Sequence, residues 1–193
     1  MSDRTSLTPL DWTVAGITAL AEGGIDAVRV ERLAKRLGTS KGSFYWHFAN
    51  RPALLAAMLE LWERESTADV IEHVAAITDP AERLRHVTRE ALEAKTRGVD
   101  VAHAVRSWAA QDPAVAVRFV RVEQARTAFL AHELAALGYD SPTALRLGKA
   151  LYLALIGLYD ARRYATELAD DAALLDLLER VIAAVPVRSG WPP

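Results

Sequence analysis

The chain contains no cysteine. That excludes disulfides, cysteine zinc sites and thiol catalysis, and it fits a reducing cytoplasm. Glycine and proline are sparse, ten and eight among 193 residues, and fall mostly at apparent element ends. With 51% hydrophobic residues and abundant alanine, the composition favours helices over strands and suffices for a real core. No basic-then-apolar leader opens the chain, because Asp3 and Arg4 precede a capped amphipathic pattern. The longest apolar run, Ala150 to Tyr159, lies between Lys149 and Asp160. It is about half the ~20 residues that a membrane span needs, so it reads as a core helix and no membrane partner is expected.

Catalytic constellations are missing too. There is no phosphate-cradling Gly-rich loop and no Gly-x-Ser-x-Gly. The five histidines (His47, His73, His86, His103, His132) are scattered, and none has a glutamate three residues before it, as a helical di-metal site requires. Glu82, His86 and Glu90 share a helical face, but in a charged setting they read as a solvated face. No enzyme activity, metal or cofactor is expected.

Charge of one sign is scarce overall, with a net charge of −2, but its distribution is uneven. From Arg29 to Arg51 there are six basic residues (Arg29, Arg32, Lys35, Arg36, Lys41, Arg51) and a single acid, Glu31, a local charge of +5. After residue 51 the balance is −4. A basic patch on an otherwise acidic chain binds phosphate while the remainder avoids nonspecific adhesion.

Helix boundaries are clearly marked. Thr8-Pro9 supplies an N-cap and a first-turn proline, and Gly23-Gly24 a stop. Val30, Leu33, Ala34 and Leu37 form a short amphipathic helix ended by Gly38. Ser40 caps a third helix, Lys41 to about Phe48, and Asn50 a long fourth one carrying Leu54, Met58, Leu61 and Trp62. Further helices open at Asp79-Pro80 (closing at Gly98), Asp100, Asp112-Pro113, Ser141-Pro142 and Asp170 or Asp171; the last ends before Pro186. The expectation is an all-α fold of about nine helices. An N-terminal three-helix domain with a helix-turn-helix (residues 1–50) would precede a C-terminal helical bundle (51–186) and a loose tail (187–193).

On a helical wheel of the third helix, Phe44 and Phe48 share one face, and Gly42, Ser43 and Trp46 turn to the opposite side. An outward tryptophan beside a bare glycine and a serine makes a poor surface for water and a good one for a groove. Gly42 lets the backbone approach closely, Ser43 can hydrogen-bond a base edge or phosphate, and Trp46 can contact a thymine methyl or sugar. Tyr45 and His47 flank this face, placed for the phosphate walls. The helix over Val30–Leu37, the turn Gly38-Thr39-Ser40 and this helix have helix-turn-helix dimensions.

The stretch from Ala27 to Phe48, then Asn50-Arg51 and Leu54-Leu55, closely resembles the N-terminal domain of the tetracycline-repressor (TetR) family. The run Gly38-Thr-Ser-Lys-Gly-Ser-Phe-Tyr-Trp-His-Phe48 is far more specific than a generic helix-turn-helix, and the resemblance covers about residues 8–58. It implies DNA contacts by Lys41, Gly42, Ser43, Tyr45, Trp46 and His47, with the cap Ser40 beside them and Arg51 touching backbone. Arg29 stands where the family usually has a threonine, which turns a hydroxyl–phosphate contact into an Arg–phosphate one. Thr39 replaces a commonly apolar turn residue.

By the same resemblance the remaining helices form a ligand and dimerisation domain. The helices over 142–165 and 171–185 are apolar nearly all round, which suggests a two-fold partner through Leu151, Leu155, Leu158, Leu174, Leu178 and Val181. Trp62, His103, Arg106, Trp108 and Tyr152 are candidates to line a pocket for an unidentified small-molecule effector. The expected protein is a cytoplasmic homodimer that binds a palindromic operator in double-stranded DNA and represses until a ligand releases it. A small-molecule carrier with incidental DNA contact, and a ligand-independent dimeric regulator, stand as alternatives.

Overall fold

A computed structural model describes residues 7–96 and 101–185. Among the described residues there are ten α-helices and no strand: α1 (Pro9–Gly23), α2 (Val30–Arg36), α3 (Lys41–His47), α4 (Arg51–Glu63), α5 (Asp69–Val74), α6 (Pro80–Thr96), α7 (Val101–Ala109), α8 (Pro113–Leu137), α9 (Ser141–Tyr164) and α10 (Asp171–Ala183). A π-helical stretch, Arg64–Ala68, joins α4 to α5 without a break, so the expected long fourth helix is present with a local widening in its middle. The expected stop at Gly98 and the tail 187–193 lie outside the described residues.

Most starts follow the side chains that signal them. Thr8 and Asp11 form a reciprocal capping box, with Asp11 N–H donating to Thr8 Oγ1 at 3.3 Å and Thr8 N–H to Asp11 Oδ2 at 2.7 Å. Asp79, Asp112 and Asp170 each accept backbone N–H groups of the helices that they precede. For α9 the cap is Asp140, one residue ahead of the expected Ser141, which becomes the first helical residue. A carboxylate stabilises that helix end more than a hydroxyl does, because it also opposes the dipole.

The chain packs as two compact units. Among the described residues the first holds 7–68 together with 101–121; the second holds 69–96 and 122–185. The packing therefore does not break at residue 50, where the change of motif suggested a boundary: α4, α7 and the start of α8 belong with the helix-turn-helix. In this first unit α1 packs on α2, α4 and α7. Its core centres on Trp12, Leu20, Leu33, Phe44, Leu54 and Met58, all fully buried. Glu63 and Arg118 add a two-pronged ion pair at 2.6 and 2.7 Å between α4 and the first turns of α8.

In the second unit Leu84 (α6), Leu134 (α8), Ala144 and Leu151 (α9) and Leu178 (α10) form one apolar cluster. Leu92, Leu158 and Leu174 form another. Each buried leucine contributes about 1.5–3 kcal/mol relative to exposure. Glu133 is buried in α8, where Arg83 Nε meets it at 2.7 Å while Arg83 Nη1 donates to the Ile77 carbonyl at 2.5 Å. Paired this way, the carboxylate is tolerated inside the bundle. No helix among the described residues is long and apolar enough to cross a membrane.

Helices α8 and α9 approach most closely at Gly148. A Cβ there would lie 3.0 Å from the Ala131 backbone nitrogen and 3.3 Å from the Thr127 carbonyl oxygen. Gly148→Val should therefore force α9 away from α8 and lower stability by about 1–3 kcal/mol, read as a fall in melting temperature. An unchanged melting temperature would mean that the two backbones are free to separate.

Candidate functional site

The turn before α3 is a backbone device. Gly38 takes φ +64°, which costs a glycine little, and Thr39 N–H reaches back to the Ala34 carbonyl at 2.9 Å. That closes α2 and reverses the chain within three residues. Ser40 Oγ then accepts the Ser43 N–H at 3.3 Å and starts α3. With only seven residues α3 cannot be stable alone, so its orientation is set by packing. Phe44 is 0% exposed, meets Trp12 edge-on at 5.3 Å and stacks on Phe48 at 5.6 Å.

The face opposite Phe44 is open. Trp46 is 89% exposed and Tyr45 55% exposed; Lys41 and Gly42 are exposed, and Ser43 and His47 half-buried. At Gly42 an added Cβ would meet only Ser40 Oγ, at 3.5 Å, so nothing among the described residues crowds this position. An almost fully hydrated indole held on a rigid helix is an unfilled contact, since its apolar area would be stabilised by burial. Of the outward set derived from the helical wheel, Gly42 and Trp46 are exposed and Ser43 is half-buried.

The basic residues are less available than their number suggests. Lys41 Nζ pairs with Glu31 Oε1 at 2.5 Å, and this hydrogen bond raises the lysine pKa and lowers that of Glu31. Glu22 holds Arg36 through both carboxylate oxygens at 2.6 and 2.8 Å. Arg29 Nε donates to the Asp26 carbonyl at 3.0 Å. Arg51, expected as a backbone contact to DNA, is engaged within the protein. Its Nε donates to the Val28 carbonyl at 2.7 Å and its Nη2 to the Ile25 carbonyl at 2.9 Å, tying the start of α4 to the loop ahead of α2. Arg32 and Lys35, which periodicity and resemblance did not single out as contacts, stand exposed on α2 without a protein partner among the described residues. They border an open groove of about 500 Å³ beside α1.

The five pocket candidates divide between the two units. Trp62 is buried and stacks parallel on Phe119 at 6.0 Å, and the Arg106 guanidinium lies over that same ring at 5.6 Å. Trp108 is buried nearby on α7, where the half-buried His103 ring lies 3.5 Å from Ser107 Oγ. These four belong to the first unit, whereas Tyr152 belongs to the second. There its hydroxyl donates to Glu123 at 2.6 Å and accepts from Arg126 at 2.9 Å. Burial pushes this phenol up to about 12, which keeps it protonated throughout the ordinary pH range. In the helix carrying Glu82, His86 and Glu90, Glu82 pairs with Arg85, but Glu90 departs from the expected solvated face: its Oε2 is buried without a hydrogen-bond partner.

The interface candidates lie in or against the second unit's own core. Leu151, Leu158, Leu174 and Leu178 are buried in the unit's own core, and Leu155 and Val181 pack against it. On the same two helices the leucines left to water are Leu145, Leu153 (65% exposed) and Leu177. An all-apolar helix gives no sign of which stripe faces inward, and only the positions of α6 and α8 decide it.

Residues 13–58 match the family model described as bacterial regulatory proteins, tetR family. Over 56 residues the chain is 41% identical to the class A tetracycline repressor protein of Escherichia coli (transposon 1721); that alignment spans 29% of this chain and 26% of the repressor. A TetR-family transcriptional regulator from Streptomyces coelicolor superposes with a TM-score of 0.76 at 20% identity, covering 91% of this chain and 94% of that one. The crystal structure of BioQ with its double-stranded DNA operator superposes at 0.53 and 20% identity, covering 92% of this chain and 99% of that one. The likenesses to solved structures establish the fold, and the sequence likeness to the tetR family lies in residues 13–58, about a quarter of the length of the repressor that it matches.

Arg51→Met removes both hydrogen bonds to the loop before α2. The variant should lose about 1–3 kcal/mol in urea denaturation, the scale of two charged-donor bonds at a partly exposed site. Wild-type stability would free Arg51 from this role.

Proposed function

We propose that the protein is a sequence-specific DNA-binding transcriptional regulator, a repressor released by a small molecule. The observation that carries this reading is the outward face of α3, an 89% exposed Trp46 on a helix anchored by a fully buried Phe44. Trp46, Gly42 and Ser43 read the major groove, and Ser40, Tyr45 and His47 lie along its walls. Lys41 and Arg29 meet phosphate. The guanidinium of Arg51 acts chiefly on the protein side, holding the loop from which α2 starts. Support comes from the family match over this segment and from BioQ, whose crystal structure holds its double-stranded DNA operator.

In this reading residues 1 to about 50 read DNA, and 51–186 sense a ligand and hold a homodimer in the cytoplasm. The effector meets the aromatic and basic set Trp62, His103, Arg106 and Trp108. Tyr152, whose hydroxyl is saturated by Glu123 and Arg126, supports α9 instead of the effector site. Ligand binding releases DNA by favouring a spacing of the two heads that misfits two half-sites ~34–36 Å apart.

Two measurements test this. Trp46→Ala should weaken binding to the DNA upstream of the protein's own gene by ~1–3 kcal/mol in gel shifts, with the melting temperature unchanged. Unaltered affinity in the folded variant would remove Trp46 from the interface. For the dimer, Leu153→Glu should yield a folded monomer by light scattering, whereas Leu178→Glu buries an unpaired carboxylate and should unfold the second unit. A Leu153→Glu protein that stays dimeric would place the seam elsewhere.

A further inference from the structure

Glu31 is the single acid between Arg29 and Arg51, and its carboxylate accepts a 2.5 Å hydrogen bond from Lys41. The pair spans the two helices of the helix-turn-helix, with Glu31 in the first turn of α2 and Lys41 at the start of α3. Both side chains are exposed, at 64% and 51%. Exposed pairs add little stability, and α2 and α3 are already held by the buried Leu33, Ala34 and Phe44. Holding the helices together therefore does not account for this acid.

Comparison with the other cations of the patch shows what is particular about Lys41. Arg36 is gripped through both oxygens of Glu22, and Arg51 is bonded twice to backbone carbonyls. Each of these forks is fixed by two bonds at once. Lys41 instead meets one oxygen of Glu31 with a compact ammonium on a flexible stem, an arrangement that exchanges one anion for another readily. The lysine nearest the open face of α3 is thus neutralised in the free protein by a partner that a phosphate can displace.

We propose that Glu31 is an electrostatic brake on the reading head: it occupies Lys41 and lowers affinity for any duplex until a phosphate takes its place. Glu31 is a positioning residue, touching Lys41 and no base. The brake keeps the head from being captured by the excess of nonspecific DNA, where phosphate contact supplies essentially all of the binding. This rests on the reading of α3 as the DNA-facing helix.

The test is fluorescence anisotropy of full-length protein with a labelled scrambled duplex of roughly 30 base pairs, long enough for two half-sites, at low and at physiological salt. Wild type, Glu31→Gln, Lys41→Met and the double variant are compared, each checked for an unchanged melting temperature. Glu31→Gln should bind about five-fold tighter, the scale of removing one unit charge at roughly 4 Å in water. In the Lys41→Met background the same change should gain less than about two-fold, since nothing is left to release. Unchanged or weaker binding by Glu31→Gln overturns the brake, and so does an equal gain in both backgrounds, which would mean general repulsion. Folded wild-type protein without affinity for any duplex at low salt would overturn the DNA-reading assignment of α3 itself, a result distinct from the other two.

Discussion

The burial of one phenylalanine organises the working surface of this protein. Helix α3 has seven residues and is too short to persist in water by itself, so it exists in the place and orientation where Phe44 fills the space beside Trp12. With Phe44 pinned inward, helical geometry leaves Trp46, two residues on and about 200° round, no direction but outward. The exposed face is therefore a consequence of the core. The capping serine and the left-handed glycine ahead of it supply the start of the helix and the angle between α2 and α3, but they would hold nothing without that buried ring.

Around this point the charges are apportioned instead of simply accumulated. Four of the six basic residues between 29 and 51 have side-chain or backbone partners that give them structural duties or neutralise them. Arg51 is the plainest case, since it ties the beginning of α4 to the carbonyls of Ile25 and Val28 and so fixes the loop that feeds α2. The formal charge of a segment thus overstates the field that it offers to a polyanion. What matters is which cations stand free, such as Arg32 and Lys35, and which are held by a partner that can be exchanged.

Local chemistry accounts for what the sequence made legible. Caps and stops depend on residues three or four apart, and Thr8 with Asp11, Ser40 with Ser43, and Asn50 with Ala53 all bond as their spacing suggests. The outward set on α3 is legible because one strongly apolar pair, Phe44 and Phe48, sets the phase of the wheel. In α9 and α10 no such phase exists. Leucines fall on every side, and Leu151 and Leu153 are equivalent in sequence yet one is buried against α6 and α8 neighbours and the other is in water. The cation partners are hidden for a related reason: Arg83–Glu133 and Arg85–Glu179 join residues far apart in the chain, and no short-range pattern announces them.

The helical class, the positions where most helices begin and end, and the division of α3 into an apolar and an outward face follow from the amino-acid order alone, because each rests on interactions within a turn or two or on a motif of fixed spacing. Packing between distant segments decided which leucines of α9 and α10 are core and placed α4, α7 and the start of α8 with the helix-turn-helix. It also gave Arg51 to the loop and matched Lys41 with Glu31. Those outcomes depend on which surfaces meet across long stretches of chain. Burial and charge pairing are settled by that meeting, whereas periodicity and capping are settled before it.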